Sequence, residues 1–120
     1  MYGTTSRGGA HNLGTIFAIN TTGKERVLYH FRVSDGETPL STLTAVNGVL
    51  YGTALHGGTV QAGTVFALLT NGTLRVLHSF TGGNDGYAPA AGLTPLNGEF
   101  LGTARYGGTS NLGTVYALKP

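Results

Sequence analysis

The sequence predicts an all-β protein built from antiparallel, four-stranded repeats of about 50 residues. The first observation behind this prediction is a Tyr/Leu-Gly-Thr triplet at residues 2–4, 51–53 and 101–103, which recurs after 49 and then 50 residues. The second is that a double glycine and a Gly-Thr-Ile/Val-Phe/Tyr block follow each triplet at nearly constant spacing. One structural unit therefore occurs about two and a half times in the chain.

The repeat length also favours one architecture. Repeats of roughly 40 to 50 residues are typical of propeller blades, each a four-stranded sheet, whereas the coils of β-solenoids are usually shorter. We therefore expect β-propeller-like blades and keep a β-solenoid as the alternative fold. The 120-residue chain is interpreted as one repeat domain, in which residues 1–39 form a partial blade, residues 40–89 a full blade and residues 90–120 a partial blade.

Each repeat is predicted to contain four strands, labelled A to D in chain order. The clearest set is residues 93–96 for A, 99–105 for B and 114–118 for C, with residues 75–80 of the preceding repeat for D. Strand D is rich in β-branched and aromatic residues, as strands are. An Asn-Gly pair at residues 47–48 and 97–98 predicts a two-residue hairpin between A and B. Residues 33–39 and 81–89 are predicted to be polar loops between repeats.

The faces of strand C predict how the repeats pack. Val65 and Ala67 alternate with Phe66 and Leu68, so both faces of this strand are apolar. A strand of this kind is buried on both sides, and we expect neighbouring repeats to cover it. The units contain three, four and three strands, ten in all, because the first lacks strand A and the last lacks strand D. The end units are therefore expected to keep open faces and unpaired edges.

Composition excludes several classes of function. Only 10% of the residues are charged, the net charge is +2, and the seven basic residues are scattered, so no basic stripe is available for a nucleic-acid backbone. No apolar run approaches the roughly 20 residues of a transmembrane helix, and no signal peptide is recognised. Because the chain has no cysteine, it has neither a disulfide framework nor a thiolate metal site.

No set of residues predicts a catalytic centre, a metal site or a cofactor. A site repeated with the units should reuse one position, but His30 aligns with Ser79, and His78 aligns with Tyr29. The glutamates also lie at unrelated repeat positions, which argues against a general acid/base pair. We therefore predict that the protein is not an enzyme. The threonines of the triplets are attributed to their β propensity.

Two aspartates do share a repeat position. Asp35 and Asp85 each precede a glycine, and Asp-Gly is typical of a turn in which the carboxylate accepts a backbone hydrogen bond. We favour the turn over the alternative of calcium ligands. Together with Tyr87, these two loops are candidates for a rim that holds a glycan or a protein. Asn20 and Asn71 each begin an N-glycosylation sequon in the turn between strands C and D, and their use is left open.

The motif blocks YGTxxxGGxxxxGTxF, RVLxxF and DGxxP resemble the bacterial GloVer repeat. More distantly, they resemble kelch-type propeller blades, which also place a double glycine after their second strand. The resemblance covers the whole chain and implies tandem blades in a secreted or surface-anchored protein, with no catalytic residue to carry over. The chain departs from the pattern at residues 31–35, which lack the Gly-Gly-Asn of the second copy, and at Leu101, where the other copies have tyrosine.

We therefore expect a non-catalytic, extracellular or cell-surface module that associates with copies of itself into an oligomeric propeller or a filament. The contacts are expected near the chain ends and involve the following residues: Met1, Tyr2, Gly3, Thr4, Thr5, Thr114, Val115, Tyr116, Ala117 and Leu118. Two alternatives stay open. One is a glycan- or protein-binding module that uses the rim loops, and the other is a fragment of a larger propeller enzyme.

Overall fold

The computed structural model describes residues 1–120 and consists of twelve β-strands without a helix, which confirms the all-β prediction. The strands are β1 (Tyr2–Thr5), β2 (Thr15–Ile19), β3 (Glu25–His30), β4 (Glu37–Pro39), β5 (Thr44–Val46), β6 (Val49–His56), β7 (Thr64–Leu68), β8 (Leu74–Ser79), β9 (Tyr87–Pro89), β10 (Thr94–Leu96), β11 (Glu99–Tyr106) and β12 (Thr114–Leu118). No helix is present that would be long and apolar enough to cross a membrane.

The strands form three separate antiparallel sheets in chain order. The first sheet is β1-β2-β3. The second begins with β4 and β5, which both pair with β6, and continues through β7 to β8. The third repeats this arrangement with β9 and β10 on β11, followed by β12. The second sheet therefore shows the complete pattern, and the first and third sheets are partial copies of it.

The predicted polar loops between repeats are wrong at their ends, and the count of ten strands is two too low. Residues 37–39 and 87–89 are short strands that pair with the far ends of β6 and β11, with Pro39 opposite Ala54 and Pro89 opposite Ala104. Strand A, predicted at residues 93–96, corresponds to β10, and β9 is an additional strand before it. The strand β4 belongs to the second sheet, although the expected unit boundary follows Pro39.

The Asn-Gly hairpins are confirmed. Asn47 and Asn97 both have φ of 52°, and Gly48 and Gly98 both have φ of 81°. Positive φ at both central residues is what a type I′ turn requires, and this turn matches the right-handed twist of the strands that it joins.

A β-bulge interrupts the pairing of strands C and D, which are β2 and β3 in the first sheet and β7 and β8 in the second. The register shifts between Ile16 and Phe17 in the first sheet and between Val65 and Phe66 in the second. Leu28 and the corresponding residue of β8 are therefore extra residues without a partner across the ladder. A bulge at the same place in two repeats is a fixed feature of the fold, because bulges set the local bend and twist.

The core lies between the sheets. We call the face of a sheet that is directed toward the following sheet its forward face, and the opposite one its rear face. The first core cluster joins Ile16, on the forward face of the first sheet, to Phe66 and Leu68 on the rear face of the second. The second joins Val65, on the forward face of the second sheet, to Phe100 of the third.

The middle strand β7 is buried at all five of its residues. The prediction that neighbouring repeats cover both faces of this strand is therefore confirmed. The corresponding strands of the outer sheets are covered on one side only, since their burial alternates or is partial.

Candidate functional site

The repeated motifs build the contacts between sheets, and these contacts are the candidate functional site. The triplet threonines donate hydrogen bonds forward to the next repeat. Thr4 Oγ1 donates to the carbonyl of Ser41 at 3.2 Å, and Thr53 Oγ1 donates to the carbonyl of Ala91 at 3.1 Å. Thr53 is fully buried, whereas Ala91 is exposed, so the bond is partly buried. The sequence did not indicate this role, because threonine in a strand is also what β propensity alone would place there.

The threonines of the second motif block donate backward. Thr64 Oγ1 donates to the carbonyl of Asp35 at 3.0 Å, and Thr114 Oγ1 donates to the carbonyl of Asp85 at 3.3 Å. Both acceptors lie in the connector that leads from one sheet into the next. The two threonines of a repeat thus hold the segment that precedes it and the segment that follows it.

Thr53→Val tests the forward bond. We expect the free energy of unfolding to fall by about 1 kcal/mol, because valine keeps the shape of threonine but cannot donate to the carbonyl of Ala91. The matched control is Thr103→Val at the same motif position of the third sheet, where the threonine is exposed. That control should change stability by less than about 0.5 kcal/mol. Equal effects in urea unfolding would contradict the assigned role.

The glycine of each triplet leaves room for an aromatic ring from the neighbouring strand. Gly52 lies opposite Phe66 in the ladder, and a Cβ atom at Gly52 would lie 2.8 Å from Cζ of that ring. The same pairing joins Gly3 to Phe17 and Gly102 to Tyr116. The ring therefore lies on bare backbone, a close approach for which glycine in a strand is suited.

Of the three aromatic residues Phe17, Phe66 and Tyr116, only Tyr116 carries a hydroxyl group. Its oxygen is buried and has no hydrogen-bond partner, and burial raises the pKa of this phenol to about 12. An unpartnered buried hydroxyl costs free energy. We therefore expect Tyr116→Phe to raise the free energy of unfolding by about 1 kcal/mol, since the other two repeats already have phenylalanine here. Thermal unfolding followed by circular dichroism measures this, and a lower melting temperature would contradict it.

Asp35 and Asp85 stabilise the backbone conformation of the connectors between sheets, which join β3 to β4 and β8 to β9. Asp35 Oδ1 accepts a hydrogen bond from the backbone amide of Arg32 at 2.8 Å, and Asp35 Oδ2 accepts one from the Tyr29 hydroxyl. Burial is the main cause that raises the pKa of Tyr29, to about 12, and the bond to Asp35 adds to it. The following residue, Gly36, has positive φ, as the predicted turn requires.

Asp85 is held in a similar way with different partners. Thr81 donates to it from both its backbone amide and its hydroxyl, and His78 Nε2 lies 2.9 Å from Asp85 Oδ2. Burial raises the pKa of Asp85, but the hydrogen bonds from Thr81 and His78 outweigh it and hold the pKa below its usual value. Both carboxylates are thus engaged within the protein, and their role in a ligand rim stays a prediction.

Tyr87, the third rim residue, lies in an aromatic patch on the surface. Its ring centroid is 6.0 Å from that of Tyr106 and 6.5 Å from that of His56. Tyr87 and Tyr106 are 37% and 50% exposed. The sequence did not indicate this patch, because it joins the end of β6 in one repeat to β9 and β11 of the next.

The two end sheets expose residues whose copies are buried inside the protein. Val65 on the forward face of the second sheet is fully buried, whereas Val115 at the same position of the third sheet is 80% exposed. At the opposite end, Leu50 is 5% exposed, whereas Met1, at the same position of the first sheet, is 82% exposed. Of the ten residues expected to mediate self-association, the structure thus exposes Met1, Tyr2, Val115 and Ala117.

A family model for the Gloeobacter/Verrucomicrobia repeat matches the sequence over residues 1–120. Searches of curated proteins and of solved structures gave no significant match.

Proposed function

The chain belongs to the Gloeobacter/Verrucomicrobia repeat family, and we propose that it is a non-catalytic, extracellular module that associates with copies of itself through the open faces of its end sheets. The observation that carries the proposal is the contrast between buried and exposed copies of one position, Val65 and Val115. The exposed copy belongs to a surface that, one repeat earlier, is a sheet-to-sheet interface.

The two open faces are complementary because they correspond to the two halves of an interface within the chain, the first sheet without strand A and the third without strand D. Inside the protein, the forward face around Val65 packs against the rear face that carries Phe100. The open forward face of the third sheet, with Val115, should therefore accept the open rear face of the first sheet of another chain. That contact joins unlike surfaces, so it leads to a closed ring if the rotation closes and to a filament otherwise.

A propeller arrangement is part of the proposal. Neighbouring sheets approach each other through β6 and β9, and through β1 and β4, which lie on the first-strand side of each sheet. The contacts on that side support a radial arrangement like that of blades around an axis. Negative-stain microscopy would separate closed rings from filaments.

The absence of catalysis is proposed from the use of the motif side chains. The polar groups that recur with the repeat are Thr53, Thr64 and Asp35 with their copies, and their hydrogen bonds hold sheets and connectors together. A repeated structural role explains these residues without a reaction. The extracellular location rests on the resemblance of the motif blocks to the GloVer repeat, and secretion in the native host would test it.

Two charge variants test the proposed association. Val115→Asp places a charge on the forward face of the third sheet, and Ile19→Lys places one on the rear face of the first. Each variant alone keeps only one open face, so each should be a folded monomer. An equimolar mixture should form a one-to-one dimer, because the intact rear face of the first variant can bind the intact forward face of the second. Light scattering after size exclusion measures all three samples.

The matched control is Val60→Asp, which introduces the same charge at an exposed valine in the loop before β7. This variant should associate like the parent chain. A mixture of the two face variants that stays monomeric would contradict the head-to-tail contact.

A glycan-binding function of the rim is the second candidate. The observation that favours it is the exposed pair of rings at Tyr87 and Tyr106, since aromatic rings with a polar edge suit sugar faces. A glycan screen that finds saturable binding, lost in Tyr87→Ala, would support it. Binding that persists in this variant would contradict it.

A further inference from the structure

We propose that the two Asn-Gly hairpins, at Asn47 and Asn97, convert spontaneously to isoaspartate in the folded protein, whereas the third Asn-Gly pair of the chain, at Asn71, is protected by its turn. Asparagine is among the thermally labile residue types. The modification is a reaction of the chain's own groups with water and needs no second copy, so it goes beyond the association described above.

The reaction takes place between an asparagine side chain and the next backbone amide. In the first hairpin, the amide nitrogen of Gly48 loses its proton and attacks Cγ of Asn47, which is favoured because both groups belong to one short segment. The bond from Cγ to Nδ2 breaks, ammonia leaves and a five-membered succinimide remains. Water then opens the ring at one of its two carbonyls, which gives isoaspartate or aspartate. Glycine favours the attack because it has no Cβ atom to hinder ring closure.

The hairpins leave the attacking nitrogen free. Asn47 and Asn97 are both exposed, and the amides of Gly48 and Gly98 make no backbone hydrogen bond. This follows from the turn, because the hydrogen bond that closes a β-turn joins its first and last residues and leaves the amide of the second central residue unused. In both hairpins, the asparagine side chain and the next amide are therefore available to react.

Asn71 lies in a different turn, in which both reacting groups are engaged. The amide of Gly72 donates to the carbonyl of Leu69 at 3.0 Å, and Asn71 Oδ1 accepts a hydrogen bond from the amide of Thr73 at 3.0 Å. Gly72 N has to give up its hydrogen bond before it can lose its proton, and the second bond restrains rotation of the carboxamide. Asn71 is as exposed to water as Asn47, so the difference between them lies in these hydrogen bonds.

The modification would weaken a contact between two sheets. Isoaspartate adds one carbon atom to the main chain, so the two-residue loop loses the type I′ geometry that matches the twist of its strands. In the first hairpin the affected ladder is β5 on β6, in which Thr44 pairs with Tyr51. Thr44 Oγ1 also donates to the carbonyl of Leu93, in the following repeat, at 2.8 Å. Conversion of Asn47 therefore loosens a hydrogen bond from the second sheet to the next repeat.

Storage of the unmodified chain at neutral pH tests the proposal. Peptide mapping with fragment-ion mass spectrometry measures the mass gain at each asparagine and distinguishes isoaspartate from aspartate. We expect Asn47 and Asn97 to convert at least about tenfold faster than Asn71, because only Asn71 requires a hydrogen bond at the attacking nitrogen to break first. Conversion should accelerate as the pH rises, since the nucleophile is the deprotonated amide.

The matched control is the same chain unfolded in guanidinium chloride, where the turns are lost. There the three sites should convert at rates within about threefold of one another, because each is an Asn-Gly pair in a flexible chain. A second control is the double variant Asn47→Gly and Asn97→Gly, which removes the reaction but keeps the turns, since Gly-Gly also suits type I′. This variant should keep its melting temperature on storage, whereas that of the parent chain should fall.

Three outcomes would overturn the proposal. The first is conversion of Asn71 as fast as Asn47 in the folded chain. The second is a pair of hairpins that stay unmodified in the folded chain although they convert in the unfolded one. The third is a parent chain that keeps its melting temperature after both hairpins have converted. None of these outcomes bears on the association of the faces, which the two charge variants test separately.

Discussion

Phe66→Ala is expected to lower the free energy of unfolding by about 3 to 5 kcal/mol, the usual cost of removing a buried ring. Phe66 is fully buried at the centre of the first interface between sheets, and its ring packs edge-on against Phe31 with centroids 5.1 Å apart. Removing the ring takes away its contacts with Gly52 in the same sheet and with the neighbouring first sheet. Urea unfolding in the Ile19→Lys background measures the loss without a contribution from association.

The control for this prediction is Phe17→Ala, at the same position of the first sheet. Phe17 packs on Gly3 as Phe66 packs on Gly52. However, Phe17 lies on the open rear face of the first sheet, where no other sheet covers it, and its side chain is only half-buried. We expect a loss of about 1 to 2 kcal/mol, which corresponds to partial burial of the ring. The difference between the two variants then reports the contribution of the neighbouring sheet. Equal losses would show that sheet-to-sheet packing does not stabilise the fold.

Gly57→Ala is expected to be the second most damaging change, with a loss of about 2 to 5 kcal/mol from backbone strain and overpacking together. Gly57 has φ of 84°, which an L-residue resists. A Cβ atom here would also lie 2.7 Å from the carbonyl carbon of Gly36 and 2.8 Å from the amide nitrogen of Glu37. These are backbone atoms of the connector, and they cannot move without shifting β4.

Gly8→Ala separates the two causes. Gly8 has φ of 85°, but a Cβ atom there meets nothing within 4 Å. This variant should lose only the strain of positive φ, about 1 to 2 kcal/mol. If both variants lost the same amount in urea unfolding, the connector would not be tightly packed against the double glycine.

The sequence was sufficient for the features that depend on local chemistry. The Asn-Gly turns, the strands and the doubly buried β7 follow from residue type and periodicity, because each of these signals lies within a few residues. The short strands β4 and β9 were missed because their partners are distant in sequence. Thr38 and Ala88 also have positive φ, of 56° and 60°, and neither residue type indicates such a backbone.

The polar contacts were missed for a different reason. A repeated site was expected to reuse one residue type at one position. His30 and Ser79 are unlike residues that accept the same hydrogen bond from the loop that contains the double glycine. Tyr29 and His78 are different residue types, and each forms a hydrogen bond with the aspartate at the same repeat position. In this repeat a position keeps its contact while its residue type changes, and a comparison of residue types does not reveal this.

Sedimentation equilibrium of the unmodified 120-residue chain tests the central claim most directly, because it reports mass without a label or a surface. We predict assemblies whose mass is a multiple of 12.3 kDa and grows with concentration at micromolar levels, since two complementary apolar faces are open. A folded protein that stays at 12.3 kDa over the whole concentration range would contradict it.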